Sequence, residues 1–184
     1  ELILPMVDSL FTETGIRLQE LDAIAYGCGP GAFTGVRIAT GVAQGLGFAS
    51  DRPLIPVSTL AALAWEVREL APLILPAIDA RMNEIYCALY RTKPEFELLQ
   101  PERVCPADTT GLQPDASCYG TGSGWKRYEA LLANTCKNHL AGFNDESYPH
   151  AEHMLQLALV AWENNRIQNP ADAAPIYLRD KVTG

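Results

Sequence analysis

The chain has 184 residues, with 14 lysines and arginines against 22 aspartates and glutamates, for a formal charge of −8. Such a surface repels phosphates, so tight nucleic-acid binding by the chain alone is not expected unless a local basic patch or a basic partner supplies it. At 48% hydrophobic and 20% charged residues, the composition excludes a disordered tail and suits one large domain or two small lobes that need no disulfide staple.

The longest uncharged run, residues 23–36, is glycine-rich and shorter than the ~20 apolar residues of a membrane-spanning helix, so no membrane partner is expected. The five cysteines (Cys28, Cys87, Cys105, Cys118, Cys136) contain no CxxC pair. They read as reduced thiols, and with no signal peptide visible the expected location is cytoplasmic. The chain opens on Glu1, and Leu2-Ile3-Leu4 reads as the inside of an element, so a preceding N-terminal segment is expected.

Ile3, Met6, Val7, Leu10 and Phe11 fall at helical spacing and predict a helix over residues 2–14, stopped by Gly15, with Pro5 either in the first turn or kinking the helix. Residues 23–28 predict a short buried strand, followed by a loop over residues 29–35 and a helix over residues 36–49. Residues 54–57 predict a second buried strand. Ser58 is placed to cap a helix over residues 59–70. Residues 73–80 and 84–91 predict a hairpin around Arg81-Met-Asn83. Residues 92–116 hold five prolines or glycines and read as irregular, with room for a strand near Leu98 or Val104. A strand over residues 117–120 and helices over residues 125–135 and 149–164 follow, and the last 15 residues read as extended. Strands alternating with helices predict an α/β fold with mainly parallel pairing. Two strand–glycine loop–helix units suggest two related lobes, divided at 1–71 and 72–184.

Gly29-Pro30-Gly31-Ala32-Phe33-Thr34-Gly35 is the most informative stretch. Three glycines follow a strand and open a helix, where backbone amides can hold an anion. The dinucleotide fingerprint fails because Thr34 stands where glycine is needed, and the P-loop fails for want of a lysine. The stretch reads first as a tight turn, with ligand or partner contact as the alternative. Gly41, Gly45 and Ala49 recur every four residues on the following helix. Four glycines between residues 35 and 47 cost ~1 kcal/mol each against alanine in a helix, so close packing must offset them. Two kinds of packing stay open, a subunit interface shared with the helix over residues 2–14 or packing within the monomer.

Asp79, Arg81 and Glu84 cluster at the hairpin tip and read as a solvated, self-neutralising group. Gly120-Thr-Gly122-Ser-Gly124 resembles a second phosphate-facing loop, with Trp125 read as packing. His150 and His153 are three apart on a predicted helix, with no third ligand placed by sequence. No metal site and no GxSxG nucleophile are expected.

Gly29-Pro-Gly-Ala-Phe-Thr-Gly-Val-Arg-Ile38, Asp79-Ala-Arg-Met-Asn-Glu-Ile-Tyr86, Gly120-Thr-Gly122 and Pro175-Ile-Tyr-Leu-Arg179 together closely resemble the bacterial TsaB (YeaZ) family, over essentially the whole chain. Ala32 departs from the serine expected there. The resemblance implies a two-lobed fold like actin, Hsp70 and the sugar kinases, with a β-hairpin and another strand, roughly 35–40 residues, ahead of the helix at Ile3. It implies a non-catalytic subunit in the formation of N6-threonylcarbamoyladenosine at position 37 of ANN-reading tRNAs. Its partners would be the catalytic paralogue TsaD, the ATPase TsaE and, through the complex, tRNA, with homodimers when the chain is alone. TsaD carries a histidine pair for its metal, and residues 2–14 here contain no histidine.

The implied partner interface comprises Ile3, Met6, Val7, Leu10, Arg37, Ile38, Gly41, Val42 and Gly45. The loop candidates for ligand contact are Gly29, Pro30, Gly31, Phe33, Thr34, Gly35, Gly120 and Gly122. No catalytic residue and no cofactor of the chain's own are implied. ATP or ADP at the interface of the complex and direct tRNA contact stay open. An ATP-using enzyme of the actin–kinase class is the rival reading, and a peptidase a more distant one.

Overall fold

The computed structural model describes residues 2–179. Two sheets carry the architecture. The first pairs β1 (Ile24–Gly29) and β2 (Leu54–Ser58) in parallel. The second has the order β5 (Glu97–Pro106), β4 (Glu84–Arg91), β3 (Leu73–Arg81), β6 (Cys118–Thr121), β7 (Leu140–Asn144). Its β3–β4 and β4–β5 pairs are antiparallel, and its β3–β6 and β6–β7 pairs parallel. Three of these five strand pairs are parallel, as expected, and the larger sheet is mixed because the expected hairpin opens it. A tight hairpin can join only antiparallel neighbours, and Arg81, Met82 and Asn83 make that turn with positive φ.

Alternation along each strand sorts the core into layers. Leu73, Leu75 and Ala77 of β3, with Ile85, Cys87 and Leu89 of β4, face α4 (Ser123–Cys136), where Trp125, Leu132 and Cys136 meet them. Ile74 of β3 and Ala88 and Tyr90 of β4 face the opposite way, against Leu60 and Ala64 of α3 (Thr59–Glu66). The Ser58 hydroxyl caps α3, accepting the Ala61 N–H at 3.1 Å. This helix ends at Glu66, short of the expected Leu70. In the first sheet, Tyr26, Cys28 and Leu54 pack on Ala43 of α2 (Phe33–Ser50). Ile55 and Val57 pack on Ala158 of α5 (Ala151–Glu163) on the other face. These layers match the two-lobed actin-like expectation.

The C-terminal quarter crosses back. With α5 on the first sheet and Ile176 N–H donating to Cys28 O at 2.8 Å, the division at residues 71 and 72 separates the two sheets but not the polypeptide around them. The strand allowed near Leu98 or Val104 is present as β5, which runs through both positions and orders more of the stretch than expected. Pro101 is accommodated because β5 is an edge strand and bulges between the Leu89–Gln100 and Cys87–Arg103 pairs. β7 was not expected; Gly142 at its centre sits against the Tyr119 ring, where a Cβ would lie 3.0 Å away.

Candidate partner interface and interlobe cleft

The 3.6-residue period splits α2 into two stripes. Val36, Thr40, Ala43, Gly47 and Ser50 are buried toward β1. On the other side, Ile38, Gly41, Gly45 and Phe48 are exposed, with 47% of Ile38 and 62% of Phe48 open to solvent. Among the described residues, and apart from the helix's own adjacent backbone, no atom lies within 4 Å of a Cβ built on Gly41 or Gly45, whereas one on Gly47 would meet Pro170 Cγ at 2.7 Å. Packing within the monomer therefore accounts for Gly47 and not for Gly41 or Gly45. Val42 is half-buried at the side of the exposed stripe.

The expected first helix forms as α1 (Ile3–Thr14), ended by Gly15 in the left-handed region. None of its residues is buried. Leu4, Met6 and Leu10 are more than half exposed, Ile3 is exposed and Val7 half-buried. An apolar helix without a covered face loses the burial free energy that normally holds such a helix in place, about 25 cal/mol per Å². Leu4 and Phe48 extend these two faces beyond the residues singled out from sequence. For Phe48 the signal was present, because it continues the three–four spacing of Ile38, Gly41 and Gly45.

The glycine stretch after β1 divides in the structure. Gly29, with φ of +110°, Pro30 and Gly31 form the turn. Phe33, Thr34 and Gly35, expected in the loop, are the first turn of α2, because Ala32 already has the extended conformation of a helix-start residue and its carbonyl receives the Val36 N–H. Arg37, grouped from sequence with the interface residues, stands with its guanidinium 3.3 Å above the Phe33 ring and 5.3 Å from that of Tyr177.

That stack forms one wall of a cleft of about 1300 Å³ between the two sheets. Pro30, Gly31, Phe33 and Arg37 line it from the first lobe, and Asp79, Arg81, Tyr86, Lys126 and Arg127 from the second. Tyr148 and residues 176–179 also line it. Asp79 holds two guanidinium groups, Arg127 at 3.2 Å and Arg81 at 3.9 Å. Glu84 is taken by Arg179 at 2.5 Å, and Arg179 also donates to Ala80 O at 3.1 Å. The hairpin carboxylates are neutralised, as expected, but they are largely covered instead of solvated, and besides Arg81 their partners come from α4 and the C-terminal segment.

Gly120 and Gly122 do not line this cleft. Gly120 lies under Trp125, and Gly122 approaches Ala77 O, which a Cβ there would meet at 2.6 Å. The lobes are pinned together behind the glycine turn. Glu102 of β5 accepts the Tyr90 hydroxyl at 2.8 Å and also the Ser58 hydroxyl. Burial, and then the Glu102 charge, hold the Tyr90 hydroxyl and the Cys28 thiol protonated, the latter pushed up to about 11. Among the described residues, no group of three or more His, Cys, Asp and Glu is placed to hold a metal ion.

This arrangement has counterparts among known proteins. Residues 1–183 match the family model described as TsaD, tRNA N6-adenosine threonylcarbamoyltransferase. The Haemophilus influenzae protein named tRNA threonylcarbamoyladenosine biosynthesis protein TsaB is 39% identical over 193 residues, covering 98% of this chain and 80% of the relative. The chain belongs to the TsaB (YeaZ) family. The TsaB protein of Escherichia coli is 36% identical over 191 residues, with 98% and 80% covered. Among solved structures, YeaZ from Pseudomonas aeruginosa superposes with a TM-score of 0.86 at 40% identity, covering 95% of this chain and 83% of that one. The names of the TsaB relatives assign them to tRNA threonylcarbamoyladenosine biosynthesis. No helix among the described residues is long and apolar enough to cross a membrane.

Proposed function

We propose that the chain is a non-catalytic subunit in the formation of N6-threonylcarbamoyladenosine on tRNA, and that it binds and supports the catalytic paralogue TsaD through α1 and the Ile38–Gly41–Gly45–Phe48 stripe of α2. The observation that carries this reading is the space above Gly41 and Gly45. Glycine in a helix interior is costly, and here nothing among the described residues uses the room it leaves. A second helix seated there could approach closely and cover Met6, Leu10 and Phe48. The same face would serve homodimers when the partner is absent, because an isologous contact needs only one self-complementary patch. TsaE would dock on the assembled pair, and ATP or ADP would sit at its interface.

Calorimetric titration with TsaD tests this reading. Gly45→Leu should weaken the heterodimer by about tenfold or more while the isolated chain melts as before. Unchanged affinity would refute the proposed interface. The rival, an ATP-consuming enzyme, has the interlobe cleft in its favour. ATP turnover by the isolated chain would overturn the non-catalytic reading.

A further inference from the structure

We infer that the interlobe cleft is an RNA-contacting surface, which takes phosphates of an unpaired strand on Arg37, Lys126 and Arg127 and stacks bases on Tyr148 and Tyr177. The inference rests on the proposed function only in that the substrate is a tRNA; it assigns this chain a direct contact with that substrate.

Charge is the first support. In a chain of net −8, five cationic side chains (Arg37, Arg81, Lys126, Arg127, Arg179) converge on one cleft whose lining contains a single carboxylate, Asp79. Arg179 is spent on Glu84, but Arg81 and Arg127 share Asp79, and Lys126 meets the exposed Glu146 at 3.4 Å. Among the described residues, Arg37 pairs with no carboxylate and is held by aromatic rings alone. Such a patch supplies the local attraction for phosphate that the overall charge denies.

Aromatic surface is the second support. Tyr148 is 67% exposed and Tyr177 48% exposed, and both line the cleft beside these cations. Large rings left in water next to Arg37, which has no carboxylate partner among the described residues, and next to two guanidinium groups that share one carboxylate, match the combination that binds single-stranded nucleic acid, where every base offers a face to stack.

Size is the third. At about 1300 Å³ the cleft exceeds the roughly 300–1,000 Å³ of small-molecule sites, and the exposure of Arg81 and Tyr148 leaves its rim open to a longer strand.

The test uses a fluorescein-labelled, mixed-sequence RNA of about ten nucleotides and a tRNA transcript. Each is titrated against the chain alone and against the chain mixed with TsaD, over a series of salt concentrations. We expect binding by the chain at low salt in the range of roughly 10⁻⁴–10⁻⁶ M. The triple variant Arg37→Gln/Lys126→Gln/Arg127→Gln should flatten the salt slope by about 0.7 for each phosphate no longer neutralised. Tyr148→Ala should weaken binding by about fivefold or more at constant slope. Thermal melts establish that the variants fold, since all four side chains are at the surface. RNA affinity unchanged in the folded variants overturns the inference. So does ATP or an acidic peptide binding the cleft while RNA does not. TsaD binding without RNA binding would remove this inference and leave the interface reading standing, and the converse would do the opposite.

Discussion

Gly120 and Trp125 fit together only because Gly120 has no side chain: a Cβ there would lie 2.1 Å from Trp125 Cε2. The indole is fully buried, stacks on Phe143 at 5.3 Å and donates from Nε1 to Leu75 O at 3.0 Å. It has nowhere to retreat. Gly120→Ala should therefore cost about 1–3 kcal/mol or more through overpacking, read as a lower urea midpoint with an unchanged m-value. An unshifted midpoint would return this glycine to the role of a ligand loop.

Three glycines on α2 should respond in opposite directions. Gly41→Ala and Gly45→Ala meet open space and should each stabilise the isolated chain by up to about 1 kcal/mol, the helix-propensity difference. Gly47→Ala drives a methyl group into Pro170 and Leu54 and should destabilise by about 1–3 kcal/mol. Denaturant titration of the three variants side by side checks this, and equal shifts would contradict the two-stripe description of the helix.

Glu102 ties β5 and β4 to the start of α3. Glu102→Ala leaves the Tyr90 hydroxyl, on a residue only 4% exposed, without its acceptor, and should cost about 1–3 kcal/mol. Tyr90→Phe removes the donor as well, so the double variant should lose less than the sum of the singles. A double-mutant cycle with a coupling energy of about 0.5 kcal/mol or more is expected, and strict additivity would show that the bond contributes nothing.

Alkaline pH should weaken the fold in a defined window. Burial, then the Glu102 charge, raise the Cys28 thiol from its ordinary 9.0 to about 11. A raised thiol favours the protonated native state, so this contribution is complete below pH 9 and disappears as pH climbs through about 11. It is worth roughly 2–3 kcal/mol at one pH unit per 1.36 kcal/mol. Tyr90 and Tyr26 shift in the same direction, burial being the main cause for each. Urea midpoints between pH 8 and 11 should fall, and Cys28→Ala should flatten that fall. An identical slope in the variant would remove Cys28 from the account.

The elements legible in the sequence were those specified by local chemistry. The β3–β4 hairpin announces itself through two continuous apolar runs, residues 73–78 and 85–90, on either side of a short polar turn. α1 and α2 follow from 3.6-residue spacing, and the α3 cap from Ser58. β5 was less legible because Pro101 contradicts a strand unless that strand is known to lie at an edge, and edge position is a property of the sheet. β7 was hidden because five residues around Gly142 carry too little periodicity. Its pairing with β6 is made across the intervening α4.

The candidate interface divides in the same way. The recurrence of Gly41 and Gly45 was visible, and so was the need for something to offset it.

Residue spacing by itself determined the α/β class and the helix faces, and the motifs at residues 29–38 and 79–86 carried the family resemblance, since each is written in residues close together in the chain. Only the tertiary structure decided that Gly47 is filled from inside while Gly41 and Gly45 stay open, and that Arg37, Arg81, Arg127 and Arg179 share one cleft. Those four come from α2, the hairpin, α4 and the C-terminal segment, and no local pattern encodes a meeting made by folding two sheets against each other. An overall charge of −8 conceals such a patch because a sum over the chain carries no positions, whereas electrostatic attraction falls off within a Debye length of about 10 Å.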